Sequence, residues 1–264
     1  MALTHLYQQI NQSEWVDIPT GWLQGRTIFG GLVAGMLMQK AVASIADDSK
    51  RLLSVSITFV GPVQLAKAKL TAEILRQGKS VTTVEVRLWQ DDAVQSILLA
   101  SFGTQRESSI QVNQECTAPD YPSVEQLKIA QHHPLAPECF KQMQMIWAEG
   151  QYPCTGAKSP DFGGWFRFDP AQHENRPMHD ADLMVAFDMW PPGVLPMYKT
   201  MAPASSLNWH LTCVHPLQAE LQDWLKYKVF TDYAGDGYAT ESAYLWDANN
   251  RLIAISRQTV TVFA

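Results

Sequence analysis

Asp188 interrupts the apolar run Leu183-Met-Val-Ala-Phe-Asp-Met-Trp190. A carboxylate buried in such a run without a partner is costly, and a carboxyl perturbed by an apolar setting is a candidate functional group. The run equally accommodates a place for Asp188 at the solvent edge of a helix, near its C-terminal end, and does not choose between the two. Gln258 shares strand parity with Leu252, Ala254, Val260 and Val262, so its amide falls on an apolar face and must find hydrogen-bond partners. Core backbone is the commoner source of such partners. Ser206 opens a strand whose polar parity runs Ser206, Asn208, His210, Thr212, a pattern that by itself singles out none of them. Phe29-Gly30-Gly31 is a lone glycine pair that suits a tight helix start, where free N–H groups can also polarise a carbonyl.

Other chemistries lack their motifs. There is no Gly-x-Ser-x-Gly elbow, no Gly-x-Gly-x-x-Gly and no P-loop. His132-His133 and His210 with His215 do not have helical metal-ligand spacing, and four scattered cysteines form neither a zinc pattern nor a disulfide framework. No metal and no cofactor are expected, and free thiols suit a cytoplasmic protein.

The elements that would position these residues occur twice. Ser54-Val-Ser-Ile-Thr-Phe59 alternates polar and apolar residues and runs into Val60-Gly-Pro62; Asn208-Trp-His-Leu-Thr-Cys213 does the same and runs into Val214-His-Pro216. The two prolines are 154 residues apart. Leu70–Leu75 and Val81–Trp89 are matched by Trp224–Thr231 and Tyr238–Trp246, and the last strands are Ile97–Thr104 and Leu252–Phe263. Gly, Asn and Asp turns between consecutive strands imply antiparallel pairing. Before each strand set lies an apolar helical segment, Gly30–Ala46 and Asp180–Trp190, the second with Asp180 as a possible N-cap and Pro191-Pro192 as its stop. A helix apolar all round is a buried one.

The expected fold class is α+β, a double hotdog with two antiparallel sheets, each wrapped round a central buried helix. The expected boundaries are an N-terminal repeat at 1–110, a proline-rich linker with short helices at 111–155 (Val124–His132 and Glu138–Ala148), and a C-terminal repeat at 156–264. A uniform shift of 154 sets Ala34 opposite Asp188, Leu52 opposite Ser206 and Thr104 opposite Gln258. The first copy then lacks the acid and supplies structure and binding surface.

Composition bounds the partners. Of 264 residues, 17% are charged against a usual ~25%, which points to surfaces buried between halves or subunits. A net charge of −6 argues against a general nucleic-acid binder. The longest uncharged apolar run, Thr27 to Gln39, is short of the ~20 residues a membrane span needs.

Trp22-Leu-Gln-Gly-Arg-Thr-Ile-Phe-Gly-Gly-Leu-Val-Ala-Gly35, Leu53-Ser-Val-Ser-Ile-Thr-Phe-Val-Gly-Pro62, Arg76-Gln-Gly-Lys-Ser80 and Leu99-Ala-Ser-Phe102 resemble the acyl-CoA thioesterase II family. So do Ser205-Ser-Leu-Asn-Trp-His-Leu211, Leu245-Trp-Asp247 and Leu252-Ile-Ala-Ile-Ser-Arg-Gln258. The resemblance covers nearly the whole chain outside the linker. It implies hydrolysis of an acyl-CoA substrate by a water held between Asp188, Ser206 and Gln258, in a chain that forms homodimers or homotetramers. The family usually carries aspartate just after the hydroxyl residue, where this chain has Asn208. Gly30 and Gly31 are the expected substrate-binding backbone, and Arg76 and Lys79, flanking the Gly78 turn, are expected to meet coenzyme A phosphates unless they are an exposed hairpin tip. A non-catalytic acyl binder and a hotdog hydratase or dehydratase are the competing readings.

Overall fold

The computed structural model describes residues 3–131, 133–134 and 136–263. The first half runs α1 (Leu3–Gln12), β1 (Trp15–Asp17), β2 (Leu23–Gln24), β3 (Thr27–Ile28), α2 (Gly30–Ala43), β4 (Arg51–Phe59), β5 (Lys67–Gln77), β6 (Val81–Gln90) and β7 (Ala93–Gly103). The second half runs β8 (Met143–Gly150), β9 (Phe162–Phe168), α3 (Asp180–Phe187), β10 (Ala204–Cys213), β11 (Leu225–Gly235), β12 (Tyr238–Trp246) and β13 (Leu252–Val262).

The expected pair of sheets is a single sheet. Eleven strands are continuous in the order β1-β5-β6-β7-β4-β10-β13-β12-β11-β9-β8. The reason is the pairing of β4 with β10, antiparallel from Ser54 opposite Thr212 to Thr58 opposite Asn208. Each half would otherwise end in an open strand edge, which is a template for aggregation. Ser56 sits opposite His210, and their side chains meet at 2.8 Å. These two residues are 154 apart, so the offset read from the prolines marks a pseudo-twofold axis through the seam.

Helix α2 buries nearly every residue from Gly31 to Met38, as its apolar surface requires. Helix α3 is shorter than its apolar run suggests. It ends at Phe187, with Asp188 as its C-cap. Its N-cap is His179, one residue before the expected Asp180; the His179 N–H donates to the Asp182 carboxylate at 2.9 Å. Asp182 has no exposed surface and also accepts from Arg176 at 2.7 and 2.9 Å and from the Tyr7 hydroxyl of α1 at 3.1 Å. Tyr7 stands with Leu3, Leu6 and Ile10 on the buried face of α1, a helix the repeat pattern does not announce.

The segment read as a linker differs as well. Val124–Gln126 and Glu138–Gln142 are short three-ten turns, and His132, the expected end of the first linker helix, lies outside the described residues. From Met143 the chain is strand β8, because Met143 and Met145 are buried on one side of Gln144, a period of two. Among the described residues no helix is long and apolar enough to cross a membrane.

The halves correspond, but not at one offset. A Cβ added to Gly31 would lie 3.0 Å from the Val185 carbonyl, and one added to Gly35 would lie 3.0 Å from the Ala181 carbonyl. This reciprocal contact relates α2 to α3 by 150 residues, Gly31 to Ala181 and Gly35 to Val185. In the sheet, a bulge between Leu52 and Ser54 of β4 recurs between Ser206 and Asn208 of β10. A bulge between Ile74 and Arg76 of β5 recurs between Thr231 and Tyr233 of β11. Through these ladders Ser206 corresponds to Leu52, as the uniform shift had it. Gln258, opposite Trp209, corresponds to Ala100, opposite Val55, and not to Thr104. Asp188 corresponds to Met38, one helical turn beyond Ala34. Turns of unequal length make the offset drift.

Gly→Ala inside a helix ordinarily stabilises it by about 1 kcal/mol. At Gly35 the new Cβ would meet the Val185 side chain at 2.6 Å as well as the Ala181 carbonyl. Gly35→Ala is therefore expected to reverse the sign and destabilise the protein by about 1–3 kcal/mol in urea unfolding.

Candidate active site

Asp188 is held at the end of α3 by the aromatic residues around it. Phe187 packs edge-on against Trp209 of β10 at 6.1 Å and against Tyr227 of β11 at 6.0 Å. Trp190 lies flat on Tyr227 at 5.0 Å. Such pairs contribute ~0.5–1.5 kcal/mol each beyond area burial. The turn after Phe187 then has little freedom, and the carboxyl is directed between the start of α2 and the strands.

Ser206 reaches the same place through the β10 bulge. Simple alternation puts Ser206 on the polar face with Asn208 and His210. The extra residue, Leu207, shifts the register and brings Ser206 to the face of Trp209 and Gln258. Asn208 stays exposed on the opposite face, outside the constellation. His210 is also exposed there, bonded to Ser56.

Gln258 links the other two. Its amide nitrogen donates to Ser206 Oγ at 2.5 Å and to Asp188 Oδ1 at a longer 3.5 Å. The structure thus brings Asp188, Ser206 and Gln258 together from three elements. All three residues are partly exposed, whereas Phe187, Trp209 and Val260 beside them are buried.

Burial pushes the Asp188 carboxyl up from 3.8 to about 7, although the amide of Gln258 and the N–H of Gly31 donate to it and oppose the rise. A Cβ on Gly30 would stand 2.9 Å from Asp188 Oδ2. The glycine pair therefore belongs to the site, and a side chain at Gly30 would displace the acid. Gly31 spends its N–H on Asp188. Arg76 and Lys79 do not come to the site. Their hairpin touches the start of β4, where Lys50 Nζ donates to the Gly78 carbonyl at 3.2 Å, while Phe59 at the far end of β4 lies beside Gly30. A strand of nine residues separates the two ends by roughly 25–30 Å. Both basic side chains are exposed, as a hairpin tip allows.

At the position related to the site by the pseudo-twofold axis there is a cleft of about 450 Å³, lined by Arg51, Leu52, Asp180, Ala181 and Cys213 among others. Leu52 takes the place of Ser206 there. The acid that sequence reasoning passed over is Glu241. It shares parity with Ala239, Ala243 and Leu245 on β12, the same signal that marks Gln258 on β13, and it is buried opposite Gln258.

A family model described as the acyl-CoA thioesterase N-terminal domain matches residues 18–103, and one described as the acyl-CoA thioesterase C-terminal domain matches residues 114–262. No curated protein matches the chain. Among solved structures, a protein of unknown function with a hot dog fold from Alicyclobacillus acidocaldarius is 19% identical, with a TM-score of 0.83 over 95% of this chain and 92% of that one. An acyl-CoA thioesterase II from Mycobacterium marinum is 19% identical, with a TM-score of 0.69 over 89% of each chain. A TesB protein from Mycobacterium avium subspecies paratuberculosis is 16% identical, with a TM-score of 0.75 over 100% of each. At these identities the structural likenesses establish the fold, with its hotdog architecture.

A raised pKa on a folded-state acid means that the native chain holds a proton the unfolded chain has lost. For Asp188 this holds between about pH 4 and pH 7, and across that window stability falls as pH rises. Asp188→Asn is expected to be more stable than the wild type at pH 8, with the gap closing as pH falls toward 4. Urea midpoints across this range check it, and an unchanging gap would mean that the carboxyl keeps its ordinary pKa.

Proposed function

The chain belongs to the acyl-CoA thioesterase II family, and from that premise we propose that it hydrolyses acyl-CoA to free acid and coenzyme A with a water held by Asp188, Ser206 and Gln258. The observation that carries this reading is the Gln258 amide, which donates to both Asp188 and Ser206. Because Ser206 Oγ accepts from Gln258, its own O–H is left to donate to a further partner. A water between these groups would meet a carboxylate that takes its proton, and a pKa of about 7 suits a base working near neutrality.

The reaction runs by attack of the water oxygen on the thioester carbon as Asp188 removes the proton. The carbonyl electrons move onto oxygen. They return as the carbon–sulfur bond breaks, and the proton taken up by Asp188 passes to the departing coenzyme A sulfur, which regenerates the carboxylate. The start of α2 supplies the positive end of a helix dipole near the developing oxyanion. The first half of the chain therefore contributes Gly30 and Gly31 to the chemistry as well as surface. A hydratase would need a histidine beside the acid, whereas His210 lies on the other face of the sheet. Exposed apolar residues of the sheet's outer surface, such as Leu75, Leu99 and Phe230, are what an association into dimers or tetramers would cover. The four free thiols suit a reducing cytoplasm.

The purified protein is expected to release thiol from acyl-CoA in a spectrophotometric assay across chain lengths. Asp188→Asn should lower kcat by ~10²–10⁴-fold, and wild-type kcat/KM should fall as pH drops below about 7. No release from any acyl-CoA would favour a non-catalytic binder. Undiminished release by Asp188→Asn would remove Asp188 as the base.

A further inference from the structure

Across the sheet, Trp209, Gln258, Glu241 and Thr231 stand opposite one another on β10, β13, β12 and β11. Directly opposed residues of an antiparallel ladder point to the same face, so an amide, a carboxyl and a hydroxyl form one polar row. The matching row of the first half, fixed by the same ladders and bulges, is Val55, Ala100, Val84 and Ile74. The fold is thus satisfied by an apolar row in the half without the acid. The polar row is costly to keep. Glu241 is only 3% exposed, and the Thr231 hydroxyl is buried without a hydrogen-bond partner among the described residues.

The Glu241 carboxyl has a specific partner. Gly193 N–H donates to Glu241 Oε2 at 2.7 Å. Gly193 lies five residues beyond Asp188, and Pro191 and Pro192 between them fix φ and stiffen the connection. The approach requires glycine, since a Cβ at 193 would meet Thr231 Oγ1 at 2.7 Å.

We propose that Glu241 is a positioning residue of the same site: by accepting the Gly193 N–H it fastens the loop after Asp188 to the strand beside Gln258, and so sets how the acid meets the amide. This rests on the reading of Asp188, Ser206 and Gln258 as the hydrolytic site. Burial raises the Glu241 carboxyl above the usual carboxylate range, the Gly193 N–H opposes the rise, and the nearby Asp188 charge adds to it.

The test uses the full chain and the thiol-release assay. Glu241→Val installs the residue that the first half carries at this place, and Glu241→Asp withdraws the acceptor by one methylene. Both are expected to lower kcat at least tenfold with KM within threefold and melting temperature within a few degrees. Glu241→Gln, which keeps an acceptor oxygen, should restore kcat to within threefold of the wild type. Adding Glu241→Val to Asp188→Asn should cost no further tenfold, because the residue acts through Asp188. The proposal is overturned if Val and Asp variants keep wild-type kcat, if Gln is as slow as Val, if the loss lies in KM, or if the double variant falls a further tenfold. Should the Val variant not fold, the Asp and Gln variants decide alone. Thiol release absent from the wild type would sink the hydrolytic reading and this proposal with it, whereas wild-type release with unchanged variants sinks the Glu241 role alone.

Discussion

Helices α2 and α3 touch backbone to backbone, with Gly31 and Gly35 against the carbonyls of Val185 and Ala181, and the geometry of the site follows from that contact. Only glycine lets two helix axes come this near without displacing a carbonyl. The approach sets the first turn of α2 beside the last residue of α3, so that a Gly31 N–H reaches the Asp188 carboxylate. It also withdraws that carboxylate from most of the surrounding water, which raises its pKa. A wider separation would leave Asp188 solvated, with an ordinary carboxyl pKa and no backbone partner. The acid and its first partner come from opposite halves of the chain, and neither half holds the complete site.

The two halves share their strand pairings and their bulges but not their polar residues. Where the first half has Met38, Leu52, Ala100 and Val84, the second has Asp188, Ser206, Gln258 and Glu241. The first set packs and is buried. The second set needs partners: Gln258 bonds Asp188 and Ser206, and the N–H groups of Gly31 and Gly193 meet Asp188 and Glu241. Because the shared ladders and bulges set these residues at matching places, the first half serves as an internal reference for what the fold alone requires there.

Much of this was legible in the sequence, and the failures have definite causes. Asp188 and Gln258 stood out because an acid or an amide on an apolar face is a visible departure from pattern. Ser206 did not, because the bulge at Leu207 reverses parity and a bulge leaves no mark in a list of residue types. Glu241 carried the same signal as Gln258, diluted by the small residues Ala239 and Ala243 on either side. The repeat was plain, yet a uniform shift mispaired Asp188 and Gln258 because turn lengths differ between the halves. The single sheet depends on β4 meeting β10, a pairing between distant segments that local periodicity does not encode. For Arg76 and Lys79, charge and turn leave both a phosphate contact and an exposed hairpin tip open, because neither states which end of the sheet the turn occupies.

The seam between β4 and β10 also sets a schedule. Phe59 ends β4, and its partner strand begins at Ala204, about 145 residues later. At ~5–20 residues per second of synthesis, β4 waits roughly 7–30 s for the strand that completes it. During that time the growing chain carries a nine-residue strand with one unpaired edge. The late pairing also makes this a fold of high contact order, which slows the final step. The arrangement that gives the finished protein a continuous sheet therefore leaves the nascent chain with an interval in which a second chain at the same stage could supply the missing strand.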